Sequence, residues 1–122
     1  MNITPRSFLG AARIGVGALS LMSPAVAARA FGIDPGRSDA WVTRLFGSRE
    51  LVLAGSLLAA KGPQVRTVAL LGAAIDGLDV ISSAAEMSRG NLTRYTGISG
   101  GGGAVLFLTL GLLAAQEDQS SR

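Results

Sequence analysis

Five charged residues lie where charge is costly, and they are the groups in this chain that could do chemistry. Arg49 and Glu50 sit in the middle of one long apolar segment, and Asp76 and Asp79 sit in the middle of the next. Arg13 stands within a third apolar block at similar depth. In a bilayer a charge near the midplane costs roughly 2.5 to 3.5 kcal/mol even on the lenient insertion scale. Such a group must therefore face a partner or a water-filled cavity. Arg is suited to pairing there, because its planar fork binds a carboxylate through two parallel hydrogen bonds and stays protonated. Counted outward from the turn between the two central segments, Arg49 lies at the depth of Asp76 and Asp79. A bridge from Arg49 to Asp76 or Asp79 is expected, with Arg13 as a second cation. Two cations then face three acids, Glu50, Asp76 and Asp79. If all five share the interior, one acid is left over and tends to hold a proton in a low dielectric. That is the seed of a proton-relay reading. The alternative is purely structural, with carboxylates that neutralise arginines and lock helix packing.

Spacing adds a stripe. Gly72, Asp76, Asp79, Ser83 and Glu86 follow one another at intervals of four, three, four and three, which places them on one face of a helix. This polar seam faces either the bundle interior or a cavity.

The elements that must position these groups are helices. The chain has 122 residues, a length suited to one domain. Hydrophobic residues make up 48% and charged residues only 16%, well below the roughly 25% of a soluble domain. The apolar residues form four blocks, 7–30, 41–60, 65–87 and 98–115. At about 1.5 Å per residue each crosses or nearly crosses a hydrocarbon core of about 30 Å. Each is apolar around its whole circumference, unlike a soluble amphipathic helix. The expected fold is all-α, a polytopic transmembrane four-helix bundle in a cell membrane. The competing reading is a soluble helical bundle with an unusually apolar surface.

Breaks between blocks carry the usual punctuation. Thr4-Pro5 opens the first helix, and Pro24 kinks or ends it. A polar loop follows with Gly32, Asp34, Pro35, Gly36, Arg37 and Asp39, and Lys61-Gly62-Pro63 makes a tight turn. Gly100 to Gly103 should weaken the start of the last helix, placed near Ile98. The first thirty residues mimic a cleavable signal peptide, with Arg6, Arg13, a short apolar run and Ala25-Val26-Ala27. We expect the first helix to be retained.

Four spans put both termini on one side, and gather Phe31, Trp41 and Tyr95 on the other as an aromatic belt. The loop cations divide evenly between the sides, so they assign no orientation. Gly15, Gly17, Gly47, Gly55, Gly72 and Gly111 would let helices approach closely, chiefly within the molecule.

Several functions fall away. There is no Cys and no His, which removes disulfides, thiol redox chemistry, His- or Cys-held zinc or haem, and Ser-His or Cys-His nucleophile pairs. No cofactor is implied. The net charge of +3 does not point to nucleic acid, because the cations lie at the ends of apolar blocks and not on one face. The Ser99–Gly103 run lacks the preceding strand and the following Lys-Ser/Thr of a phosphate loop. The triplet Asn91-Leu92-Thr93 is too common to carry weight.

Arg13-Ile14-Gly15-Val16-Gly17, Gly47-Ser48-Arg49-Glu50-Leu51 and Asp76-Gly77-Leu78-Asp79 resemble a family of small bacterial four-helix membrane proteins of unknown function. That family is similar to the broader DoxX-like group. The resemblance implies a four-helix bundle in the membrane, in some members an accessory subunit of a redox complex. Cysteines found in some of those proteins are absent here, so no thiol role and no catalytic residue carries over. The leading expectation is a structural or accessory membrane subunit that binds a protein partner or a second copy of itself. A small ion-coupled transporter comes second. Third is a membrane enzyme acting on a lipid or quinone, with only carboxylates and hydroxyls such as Ser82 and Ser83 for its chemistry.

Overall fold

The computed structural model describes residues 3–34 and 40–117. The loop residues Pro35, Gly36, Arg37 and Asp39 lie outside the described residues, as does the C-terminal end of the chain. Five α-helices account for the regular structure: α1 (Pro5–Met22), α2 (Pro24–Ala30), α3 (Ala40–Ala59), α4 (Gln64–Ser88) and α5 (Arg94–Ala115). No strand occurs among the described residues.

The first apolar block is two helices, not one. Pro24 has no N–H to continue the ladder, so α1 stops at Met22 and α2 starts anew after Ser23. At its other end α1 opens as the sequence indicates. The Thr4 hydroxyl accepts from the Ser7 N–H at 3.1 Å, and the Ser7 hydroxyl accepts from the Thr4 N–H at 3.1 Å, a reciprocal cap with Pro5 in the first turn.

Helix α5 begins at Arg94, four positions before the expected Ile98. A cap outweighs the glycine run. The Thr93 side chain accepts from the Thr96 N–H at 3.1 Å and fixes the first turn. The glycines also permit close packing here, since a Cβ on Gly101 would lie 3.2 Å from the Ser83 Cβ.

Two helix ends use glycine in the left-handed region. Gly32 has φ +74° and Gly90 has φ +78°. After α2, Gly32 N–H donates to Arg29 O and Ile33 N–H to Ala28 O; after α4, Gly90 N–H donates to Met87 O and Asn91 N–H to Glu86 O. Both are Schellman ends, in which a residue without Cβ turns the chain away from the helix axis.

The helices run antiparallel in sequence order. α1 packs along α3 and α4 along α5, with α1 also meeting α5, while α3 and α4 touch little. The closest approach is between α1 and α3. A Cβ on Gly17 would stand 2.8 Å from the Gly47 carbonyl oxygen, and one on Gly47 would stand 2.7 Å from the Gly17 oxygen. Gly72 and Gly111 also sit at contacts, whereas Gly15 and Gly55 face open space.

The apolar core lies at one end of the bundle. Leu9, Leu57, Ala69, Ala114 and Ala115 form it, with Val68, Phe107 and Leu110 packed against it. Arg6 closes that end. Its guanidinium donates to the carbonyls of Leu57, in the last turn of α3, and of Ala60, just past its end, at 2.9 and 2.5 Å. Those carbonyls have no partner within the helix.

α4 and α5 are long and apolar enough to cross a membrane; α1 and α3 do not pass the same test. Only 22% and 28% of the apolar windows of α4 and α5 are buried inside the bundle. That is low for the core helix of a water-soluble protein, whose apolar face is covered by its neighbours. Around all four long helices the large side chains point outward, among them Val52, Leu78, Ile81 and Ile98.

Candidate functional site

Halfway along the bundle, all five expected charges meet. The inner face of α1 is Leu9, Gly10, Arg13, Gly17 and Ser20, one helical stripe of mostly small residues around a single long cation. Arg13 is 1% exposed, and so are Glu50 from α3 and Asp76 from α4. Arg13 Nη1 donates to Glu50 Oε2 at 2.6 Å and to Asp76 Oδ1 at 3.3 Å. Arg13 Nη2 donates to Asp76 Oδ2, which completes a forked pair. Its guanidinium also lies over the Phe107 ring of α5, 4.8 Å from the centroid. One side chain thus joins all four long helices. Gly72 makes room for it, since a Cβ there would come within 3.3 Å of Arg13 Nη2.

Arg49 forms the outer half of the network. Its Nη2 donates to Asp79 Oδ2 at 2.7 Å and to Glu50 Oε1 at 3.3 Å, and its Nη1 donates to Asp79 Oδ1 at 3.3 Å. It stacks on Phe46 at 5.0 Å. The side chains of Arg49 and Asp79 are each 34% exposed, far more than the inner three.

The bridge expected from Arg49 to Asp76 or Asp79 forms with Asp79, while Asp76 pairs with Arg13, which makes Arg13 the central cation. One expectation is corrected. No carboxylate of the three stands alone, because Glu50 accepts from both arginines through its two oxygens. The formal balance is still one negative charge, as two guanidinium groups face three carboxylates.

The stripe on α4 is shorter than expected. Gly72, Asp76 and Asp79 belong to the network, and Ser83 faces α5. Glu86 lies one turn beyond the interior. It accepts from Arg89 Nη1 at 3.0 Å and from Asn91 Nδ2 at 2.6 Å, two partners next to the α4 end. Sequence spacing puts it on the correct face but cannot show where the bundle stops covering that face.

Beyond the network, on the side away from the apolar core, is a cavity of about 520 Å³. Its walls come from all five helices. Val16, Phe31, Ile33, Phe46, Leu92 and Phe107 make them largely apolar, and Arg49, Glu50, Asp76 and Asp79 form one charged wall. Ser20, Ser82, Ser83 and Thr96 add hydroxyls. This volume is within the range of small-molecule sites, as is the pattern of apolar walls with a few convergent polar groups. Nothing in the sequence signalled it, because it is a gap between five elements and not a property of any one.

Two fully buried side-chain atoms have no hydrogen-bond partner among the described residues, Ser20 Oγ and Arg49 Nε, and neither has surface open to the cavity. Among the described residues no cluster of carboxylates is arranged to hold a metal ion, and the three acids of the network are each engaged by arginine.

Phe31, Trp41 and Tyr95 all lie toward the cavity end, as expected for loops on one side. Tyr95 packs against Gly32, and its hydroxyl donates to Ala30 O at 3.0 Å, which ties α5 to the end of α2.

Comparison with models of known families, with curated proteins and with solved structures finds no match to this chain. The fold and the site therefore define an all-helical protein with a buried arginine–carboxylate network and an adjoining cavity.

Proposed function

We propose that this is an integral membrane protein that crosses the bilayer with four helical segments and works as an accessory subunit, by binding within the membrane rather than by catalysis. The observation that carries the reading is the direction of polarity. Large apolar side chains cover the outside, and the strongest charges occupy the centre, the reverse of what water selects. A bilayer supports that arrangement, because lipid tails receive the outer Leu, Ile and Val while the ion pairs hide from them. By length, α1, α3, α4 and α5 span about 27, 30, 37 and 33 Å. Trp41 and Tyr95 are then interfacial anchors.

Gly15, Gly55, Gly77 and Gly102 support partner binding. A Cβ at any of them would meet nothing within 4 Å, so they leave smooth outer grooves that a neighbouring helix can enter. The resemblance to the DoxX-like group fits the same reading. The test is purification from native membranes in mild detergent. A stoichiometric membrane partner, or a second copy of the chain, is the expected result; a monodisperse monomer with no companion contradicts it.

A second reading is a small proton- or ion-coupled carrier. It is favoured by the surplus negative charge of a network that forms a cavity wall. Proton flux through liposomes that carry the protein, lost in Asp79→Asn with the fold intact, would establish it.

A further inference from the structure

The cavity wall carries more negative than positive charge. Glu50, Asp76 and Asp79 line it, and Arg49 is the one cation among the described residues that do. Arg13 stands behind the wall, bound to Glu50 and Asp76, and brings the sum to one surplus negative charge. Inside a bilayer such a surplus is weakly screened, and the low dielectric favours whatever neutralises it. A proton can do so, and so can a cation for which there is room. Asp79 is the acid that a ligand can reach: its side chain is 34% exposed, whereas Glu50 and Asp76 are buried. Both Asp79 oxygens already accept from Arg49, at 3.3 and 2.7 Å. The wall thus offers a negative field more than free acceptor positions. A metal ion requires several oxygens at close range, and among the described residues no cluster is arranged to supply them. A quaternary ammonium requires none, because it donates no hydrogen bond and is held by field and by aromatic faces. Phe31, Phe46 and Phe107 stand in the same walls.

We propose that the cavity is a binding site for a small organic cation, a quaternary ammonium group on an apolar body. The head lies beside Asp79, and the body lies along Phe31, Ile33 and Leu92. Arg49 repels the head but cancels only one of the three carboxylates, so the sum still attracts it. An anionic head of the same shape meets the surplus and is repelled. An uncharged one gains the apolar contacts and leaves the surplus unmet. At about 30 Å³ per water-sized group, 520 Å³ takes on the order of fifteen to twenty groups, enough for a trimethylammonium head with a phenyl ring or a short chain.

The site gives the carrier reading a substrate class and rests on that reading's membrane setting, so binding is measured apart from flux on full-length protein extracted in detergent. Saturable binding without proton flux in liposomes keeps the site and removes the carrier; flux without binding removes the site alone. Benzyltrimethylammonium, phenylmethanesulfonate and neopentylbenzene share a phenyl ring and a tetrahedral head and differ in charge. Each is titrated by equilibrium dialysis. The expected result is one saturable site for benzyltrimethylammonium, at least about tenfold tighter than for either matched probe. Asp79→Asn removes the surplus charge and should weaken the cation at least about tenfold. Gly103 lines the cavity and a Cβ there meets nothing within 4 Å, so Gly103→Leu should fill the space, keep every charge and the parent's Tm, and abolish binding. The proposal is overturned if benzyltrimethylammonium does not saturate, if either matched probe binds as tightly, or if a variant that keeps the parent's Tm binds the cation as the parent does.

Discussion

Arg13 and Asp76 form a forked ion pair in which both partners are buried, joining α1 to α4 across an interior where those helices otherwise meet little. Breaking a buried pair by removing one partner typically costs about 3 to 5 kcal/mol, because the survivor keeps its desolvation penalty. Against a total stability of about 5 to 15 kcal/mol, Arg13→Ala should lower folded yield sharply. Arg13→Lys should be nearly as damaging, since an ammonium cannot reproduce the fork to Asp76 while also reaching Glu50. Thermal unfolding in detergent checks both.

Arg49→Ala should cost distinctly less than Arg13→Ala. Arg49 and Asp79 are each 34% exposed and border the cavity, whereas Arg13 and its two partners are buried, and Glu50 keeps its bond to Arg13 after the change. Equal losses for the two variants would place both arginines in the same environment and contradict the inner and outer halves of the network.

Glu86→Gln should leave Tm unchanged. Its partners Arg89 and Asn91 are exposed and lie beyond the bundle interior. A large loss would return Glu86 to the buried stripe that the spacing on α4 suggested.

The contact of Gly17 with Gly47 predicts a contrast between glycines. Gly17→Ala and Gly47→Ala push a Cβ against backbone oxygen, so α1 and α3 must separate, at about 1 to 3 kcal/mol. Gly102→Ala meets nothing within 4 Å and should be neutral or stabilise by up to about 1 kcal/mol through helix propensity. Chemical denaturation of the three variants compares them directly.

Parts of this architecture are legible in the sequence, for physical reasons. Apolar blocks bounded by Pro and Gly mark the helices, and the similar depths of Arg49 and of Asp76 and Asp79 on either side of a short turn mark a bridge to one of the two acids. Depth does not say which way a side chain points. Depth alone therefore leaves Asp76 open to either arginine and does not single out Arg13 as the central cation. The phase of α1 held the clue, since Gly10, Gly17 and Ser20 share the face of Arg13 and small residues mark where a neighbouring backbone comes close. Propensity penalises glycine and so points to a later start for α5, whereas one Thr93 cap and the packing of Gly97 and Gly101 against α4 decide the outcome. The cavity exists only after five elements have packed.

The central claim is that the apolar outside of this bundle faces lipid. Because the chain has no cysteine, single cysteines report without background. Leu78, on the outer face of α4 opposite the network, is replaced by Cys, and Asn91, in the following loop, serves as control. In permeabilised membranes a charged, membrane-impermeant maleimide should label Asn91→Cys and leave Leu78→Cys unmodified until the protein is denatured. Rapid labelling of Leu78→Cys in the native membranes, at the rate of Asn91→Cys, would show that this surface meets water and would contradict the membrane-embedded bundle.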